Sequence, residues 1–203
     1  MSKNFLEINN VTFAIGGKNK VNDVNITIAN EGDIICILGP SGIGKTTMLR
    51  TIAGLEQINQ GEIILKDKVI SSNKIHVEPE KRNIALSFQE NSLFPHYTVD
   101  RNIHLGVKKN SQNNKNINSK EIIKILNIEN ILDKYPHQIS AGEAQRASLA
   151  RSLISQPDLL LLDEPLSNVD QSFKEDIQVA LKQLLNKNKI IKIMGTHDSY
   201  EAF

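Results

Sequence analysis

Apolar and polar positions alternate in period two along Phe5 to Phe13, Ile26 to Ile28 and Glu62 to Leu65, the spacing of strands with one covered face. Turn-forming residues separate them, Gly16-Gly17-Lys18-Asn19 among them. Ile34 to Leu38 differs: it is a continuous apolar run ending at Gly39, as a strand covered on both faces reads. From Lys45 the period lengthens. Met48, Leu49, Ile52 and Ala53 share one helical face, and Gly54 stands where a helix end takes a left-handed residue. A strand is expected over Asn83 to Phe88. The stretch Lys108 to Lys120 is almost free of apolar residues and reads as an exposed loop. Glu121 to Leu132 turns helical, with Ile122, Ile125, Leu126 and Ile128 available for packing, and a second helix runs from Ser140 to about Ser155. Leu159 to Leu162 and Ile190 to Met194 are further buried strands. Strand and helix alternating around a helical middle imply an α/β fold: a mostly parallel sheet with helices on its faces, an N-terminal antiparallel β subdomain and an inserted helical lobe.

Composition narrows the class. The chain has 203 residues, 39% hydrophobic and 23% charged, which fits a soluble globular protein. A formal net charge of +1 gives no electrostatic case for nucleic acid, and none is expected as a partner. The single cysteine, Cys36, sits in the apolar run, so no internal disulfide forms and a reducing compartment is the simpler expectation. The first residues lack the apolar core of a secretory signal. No apolar stretch approaches the ~20 residues of a membrane span. If the protein works at a membrane, a partner supplies the spans.

Gly39-Pro40-Ser41-Gly42-Ile43-Gly44-Lys45-Thr46 matches the phosphate-loop pattern G-x-x-x-x-G-K-[ST], and lies between an apolar strand and an amphipathic helix. The glycines let the backbone curl its N–H groups onto phosphate oxygens. The helix start, with Thr47 in its first turn, adds its positive end. Lys45 brings a charge to the β- and γ-phosphates, and Thr46 a hydroxyl for Mg²⁺. The expected cofactors are ATP and Mg²⁺. Leu159-Leu160-Leu161-Leu162-Asp163-Glu164-Pro165 ends a buried strand on two carboxylates. Asp163 would hold the Mg²⁺ shell, and Glu164, one step further out, would polarise the attacking water.

Ser140 with Glu143 three residues on is a helix capping box. Upstream of the acidic strand, Ile139-Ser140-Ala141-Gly142-Glu143 also resembles the signature segment of the ATP-binding cassette ATPases, the nucleotide-binding subunits of ABC transporters. The resemblance covers essentially the whole chain. Ala141 stands where the family has its first glycine, and Ile139 where it has leucine. The resemblance implies that Ser140 and Gly142 contact the γ-phosphate of ATP held by a second copy of the chain. It identifies Gln89 with the family's glutamine near Mg²⁺ and the attacking water, Asp170 with its aspartate at the dimer interface, and His197 with the histidine on the γ-phosphate. Without the family, Gln89 is a plain strand-end residue and His197 an exposed loop residue. The implied fold is a RecA-like P-loop core in one domain over residues 1–203, with the core at 1–88 and 156–203 and the signature-bearing helical lobe at 89–155.

Two departures stand out. Ile15 takes the place of the aromatic that the family stacks on adenine, with Phe13 two positions earlier on the same strand face. The chain ends at Phe203, where the family adds about thirty residues including late strands; a sheet without its last strands or a minimal form is expected. Leu93 to Val99 resembles the stretch that bacterial importer ATPases present to a permease, with Phe94, Pro95 and Tyr97 in the groove. The first expectation is therefore an importer's ATPase subunit at the cytoplasmic face of the bacterial inner membrane. It would pair with a second copy and an integral membrane permease, and indirectly with a solute-binding protein. A soluble cassette ATPase not coupled to transport is the alternative, and a regulatory module with negligible turnover a third.

Overall fold

The computed structural model describes residues 4–16, 19–30, 32–87, 93–107, 118–169 and 171–196. In chain order the elements are β1 (Leu6–Ile15), β2 (Asn19–Ile28), β3 (Ile34–Leu38), α1 (Lys45–Ala53), β4 (Gln60–Leu65), β5 (Lys68–Ser72), β6 (Ile84–Ser87), α2 (Val99–His104), α3 (Ser119–Ile125), α4 (Ala141–Ile154), β7 (Leu159–Asp163), α5 (Gln171–Lys187) and β8 (Ile191–Thr196). They form an antiparallel sheet in the order β2-β1-β4-β5 and a parallel sheet in the order β3-β8-β7-β6. The α/β class with an N-terminal antiparallel sheet is as the sequence predicts.

Successive side chains of a strand face opposite ways, and the parallel sheet uses both faces. Leu159 and Leu161 of β7 join one core with Ile191, Ile193, Met48, Leu49 and Ile52. That core also takes Leu6, Ile8 and Phe13 from the antiparallel sheet. Leu160 and Leu162 join the other core, with Leu153 of α4 and Ile177, Leu181 and Leu184 of α5. Ile35 and Ile37 pack on the first core and Cys36 between them on the second. Helix α1 thus covers one face of the parallel sheet, and α4 and α5 the other.

Three expectations shift. The helix expected over 121–132 stops at Ile125; Asn127 takes φ 49°, and the chain continues as a 3-10 turn over Glu129–Ile131. Ile128 and Ile131 remain buried, so the apolar pattern holds while the helix does not. The expected strand over Asn83 to Phe88 starts at Ile84, because Asn83 has φ 53°; Phe88 lies outside the described residues. Of the expected loop at 108–120, residues 108–117 are likewise outside, and Ser119 and Lys120 already belong to α3. Strand β5 and helices α2 and α5 add to the elements predicted. The β4–β5 hairpin turns at Lys66 and Asp67, both left-handed at φ 49° and 62°, as a two-residue hairpin of matching twist requires.

Arg82 anchors the far end of α1. Its buried guanidinium donates to Thr51 O and Ile52 O at the end of that helix. It also donates to Val77 O, Ile70 O and the Ser71 hydroxyl.

Candidate functional site

The loop between β3 and α1 is built by glycines in conformations that side chains resist. Gly42 has φ 83° and Gly44 φ 107°. Gly44 also lacks room: a Cβ there would lie 2.6 Å from Ile15 Cδ1 and 3.2 Å from Val21 Cγ2. Gly44 is the N-cap of α1 and offers no side chain to the first-turn amides. Those amides and the helix dipole are the groups that take an anion. The buried Lys45 Nζ donates to Gly39 O at 2.6 Å and Pro40 O at 3.1 Å, so its ammonium is held against the loop. A cavity of about 210 Å³ opens here, lined by Ile15, Ser41, Gly42, Gly44, Lys45, Thr46, Thr47, Asp163 and Glu164.

Asp163 ends β7 opposite Gly195 of β8, and is buried. A Cβ on Gly195 would meet Asp163 Oδ1, Leu49 Cδ1 and Lys45 Cβ, each at 3.4 Å, an ordinary contact distance, so Gly195 marks where the acidic strand and the start of α1 come together. Burial raises the Asp163 carboxyl above its ordinary range, opposed by a hydrogen bond from the Thr46 hydroxyl and by Lys45. Thr46 and Asp163 thus bring two hard oxygens together, a donor set that suits Mg²⁺. Glu164 turns sharply, with φ 46°. Its N–H donates to Gly195 O at 3.0 Å, and its carbonyl accepts from Ser167 N at 3.2 Å.

The capping box at α4 forms as expected. Ser140 N–H and Ser140 Oγ both donate to Glu143 Oε2, at 2.7 and 2.9 Å, and Glu143 N–H donates back to Ser140 Oγ at 3.2 Å. These bonds, led by the one from the Ser140 backbone, hold the Glu143 carboxyl below its ordinary value. Ala141 is exposed. Gly142 is required by space: a Cβ would lie 2.6 Å from Asn168 O. Ser140 and Gly142 line a separate cavity of about 460 Å³ that shares no lining residue with the first. Within one chain the signature segment and the phosphate loop are therefore apart.

Gln89, Asp170 and His197 lie outside the described residues. Phe13 is 2% exposed and packed in the core, so only Ile15 of that pair borders the cavity. A groove of about 380 Å³ is lined by Phe94 with Leu86, Leu105, Gly106 and Arg151 among others. Pro95 and Tyr97 are not on its walls; Tyr97 instead lies under the Arg101 guanidinium, 3.8 Å from its ring centre. Gln145, given no role by the motif reading, is buried and bonded to the backbone around Glu164. Among the described residues, no helix is long and apolar enough to cross a membrane.

A family model described as "ABC transporter" matches residues 21–167. An Fe(3+) ions import ATP-binding protein of Escherichia coli is 36% identical over 99% of this chain and 57% of its own length. A spermidine/putrescine import ATP-binding protein of Haemophilus influenzae is 38% identical over 99% of this chain and 53% of its own. The chain thus spans about half the length of the curated relatives it matches. Among solved structures, an ATP-binding cassette in a dimeric post-hydrolysis state bound to ADP and Pi superposes with a TM-score of 0.81 at 28% identity, covering 97% of this chain and 90% of that one.

Proposed function

The chain belongs to the ABC transporter family, and from that premise we propose that it binds and hydrolyses ATP to power solute import through a separate membrane permease. The observation that carries this is the convergence of Lys45, Thr46, Asp163 and Glu164 on one cavity beneath the start of α1. Gly39 to Thr47 cradle the phosphates, Lys45 moves from its loop carbonyls to the β- and γ-phosphates, and Ile15 gives the base an aliphatic surface. Thr46 and Asp163, with Gln89, hold Mg²⁺, whose charge offsets that of the phosphates. Glu164 polarises the attacking water, and His197 contacts the γ-phosphate.

The separation of the two cavities supports a site completed by two chains. Ser140 and Gly142 of one copy close on the ATP of the other, with Asp170 at their interface. A structural neighbour solved as a dimer with ADP and Pi supports the same arrangement. The permease is received at the Phe94 groove, where a half-exposed aromatic lies beside Arg151. A solute-binding protein acts beyond it, and the subunit works at the cytoplasmic face of the bacterial inner membrane. The division into a core (1–88 and 156–203) and a helical lobe (89–155) lets the signature segment move relative to the phosphate loop.

Glu164→Gln tests the reading. It keeps the shape and removes the carboxylate, so ATP should bind, persist and hold a dimer. Light scattering at saturating ATP should report twice the mass of the chain; a monomer under those conditions sinks the sandwich.

A further inference from the structure

We infer that Gln145 is a positioning residue for hydrolysis, a clamp that fixes the backbone of Glu164 and ties it to the start of α4. This rests on the role proposed for Glu164. Gln145 is 1% exposed although its side chain carries an amide, and a buried amide is costly unless bonded. It is bonded three times, always to the turn that follows the acidic strand. Its Nε2 donates to Glu164 O at 2.9 Å and to Ser167 Oγ at 3.1 Å. Its Oε1 accepts from Asn168 N–H at 2.9 Å. One side chain thus grips both ends of a five-residue turn, from 19 and 23 positions away in sequence.

The grip matters because of how Glu164 is held. A glutamate at φ 46° is in a region that L side chains rarely adopt. Its N–H is fixed on Gly195 O, and its carbonyl by Ser167 N–H and Gln145. With both backbone groups pinned, the Cα–Cβ vector from which its carboxylate is presented is fixed. Nothing on Gln145 reaches the first cavity, so it acts through Glu164 and not on nucleotide. It also sits one turn into the helix that begins beside Ser140, and Gly142 of that turn lies flat on Asn168 O. A ligand meeting the start of α4 therefore presses on the same turn that aims Glu164. In a two-chain site, the nucleotide of one copy would be sensed by the catalytic carboxylate of the other site.

Gln145→Met removes all three bonds at nearly constant volume. Steady-state phosphate release should fall about 10- to 100-fold, the usual cost of losing an orienting partner. Fluorescent-ATP affinity should stay within about 3-fold, because no phosphate contact changes. In a Glu164→Gln background the same substitution should alter the residual single-turnover rate by less than about 2-fold, since a residue acting through Glu164 has nothing left to orient. An unchanged kcat, a matching loss of affinity, or a full loss persisting without the Glu164 carboxylate each overturns the clamp. If Glu164→Gln alone leaves turnover intact, the proposed role of Glu164 fails instead. Should Gln145→Met not fold, hydrogen exchange on the unaltered chain decides. The Asn168 amide, on an exposed residue, should exchange more than about 100-fold slower than an open amide; fast exchange there refutes the clamp.

Discussion

Arg82→Lys should be the costlier of two substitutions at a position where chemical similarity suggests the opposite. The Arg82 guanidinium is 2% exposed, and burial, with Glu78 opposing, pushes its pKa down to about 10. Holding that charge therefore costs about 3 kcal/mol relative to solvent. It is offset by five donated bonds, to four carbonyls and one hydroxyl, at 2.7 to 3.3 Å. Ile70 O and Thr51 O each keep a second backbone donor, from Val77 and Gly54. The acceptors most dependent on Arg82 are thus Ile52 O, Val77 O and Ser71 Oγ. A lysine carries three donors on one nitrogen and lacks the planar reach of the fork. It keeps the buried charge and loses at least two bonds worth about 1.5–3 kcal/mol each, roughly 4 kcal/mol together. Arg82→Met loses the bonds and the charge burial alike, so its net cost should not exceed that of lysine. At about 2–4 °C per kcal/mol for a chain of this size, Arg82→Lys should lower the melting temperature by roughly 8–16 °C. Differential scanning calorimetry of both variants checks the ranking. A drop of under about 3 °C for lysine, or a clearly larger one for methionine, would refute the balance of charge burial against fork geometry.

Other outcomes follow from the same structure. Lys192 is fully buried in β8, and burial, then Lys182 on α5, pushes its pKa down to about 8, with Cys36 on β3 opposing. Its folded value lies below its unfolded one, so the unfolded chain holds the extra proton between about pH 8 and 10.5. Stability should therefore rise with pH across that window, by up to about 3 kcal/mol. Urea titrations at pH 7.5 and 10 should show this slope lost in Lys192→Met; parallel slopes in the two proteins would contradict it. Ile15→Tyr should supply the missing ring at the base and tighten ATP binding by about 5- to 150-fold, if stacking is worth about 1–3 kcal/mol. Unchanged affinity in a fluorescent-ATP titration would place the base elsewhere.

The phosphate loop and the acidic strand were legible because their chemistry is local. Gly39 to Thr46 and Leu159 to Glu164 each carry in a few adjacent residues the pattern that the fold then realises. Helix α5 was also written in the sequence, as Phe173, Ile177, Leu181 and Leu185 at intervals of four, but it lies between two motifs and draws no attention. The β4–β5 turn was harder, because Lys66-Asp67 is not the Asn-Gly or Asp-Gly pair that signals such hairpins. Gln145 was not legible at all. Its role is set by a turn some twenty residues downstream, and no spacing rule links a mid-helix amide to a carbonyl after a strand.

The four leucines of β7 face two different cores in strict alternation, and all four are the same residue. Any one of them can take the place of its neighbour with no change in the chemistry of either core. Deleting a single leucine would leave both cores filled with leucine, yet draw Asp163 back by about 3.3 Å and turn it to the opposite face of the sheet. Hydrophobic packing is blind to that slip. The leucines are an unmarked ruler, and the graduations stand at its ends: Asp158, bonded to Asn83 O and to Lys66, and Asp163, paired with Gly195. Replacing these leucines by other aliphatic residues would perturb the packing and leave the register in place; changing their number would move Asp163.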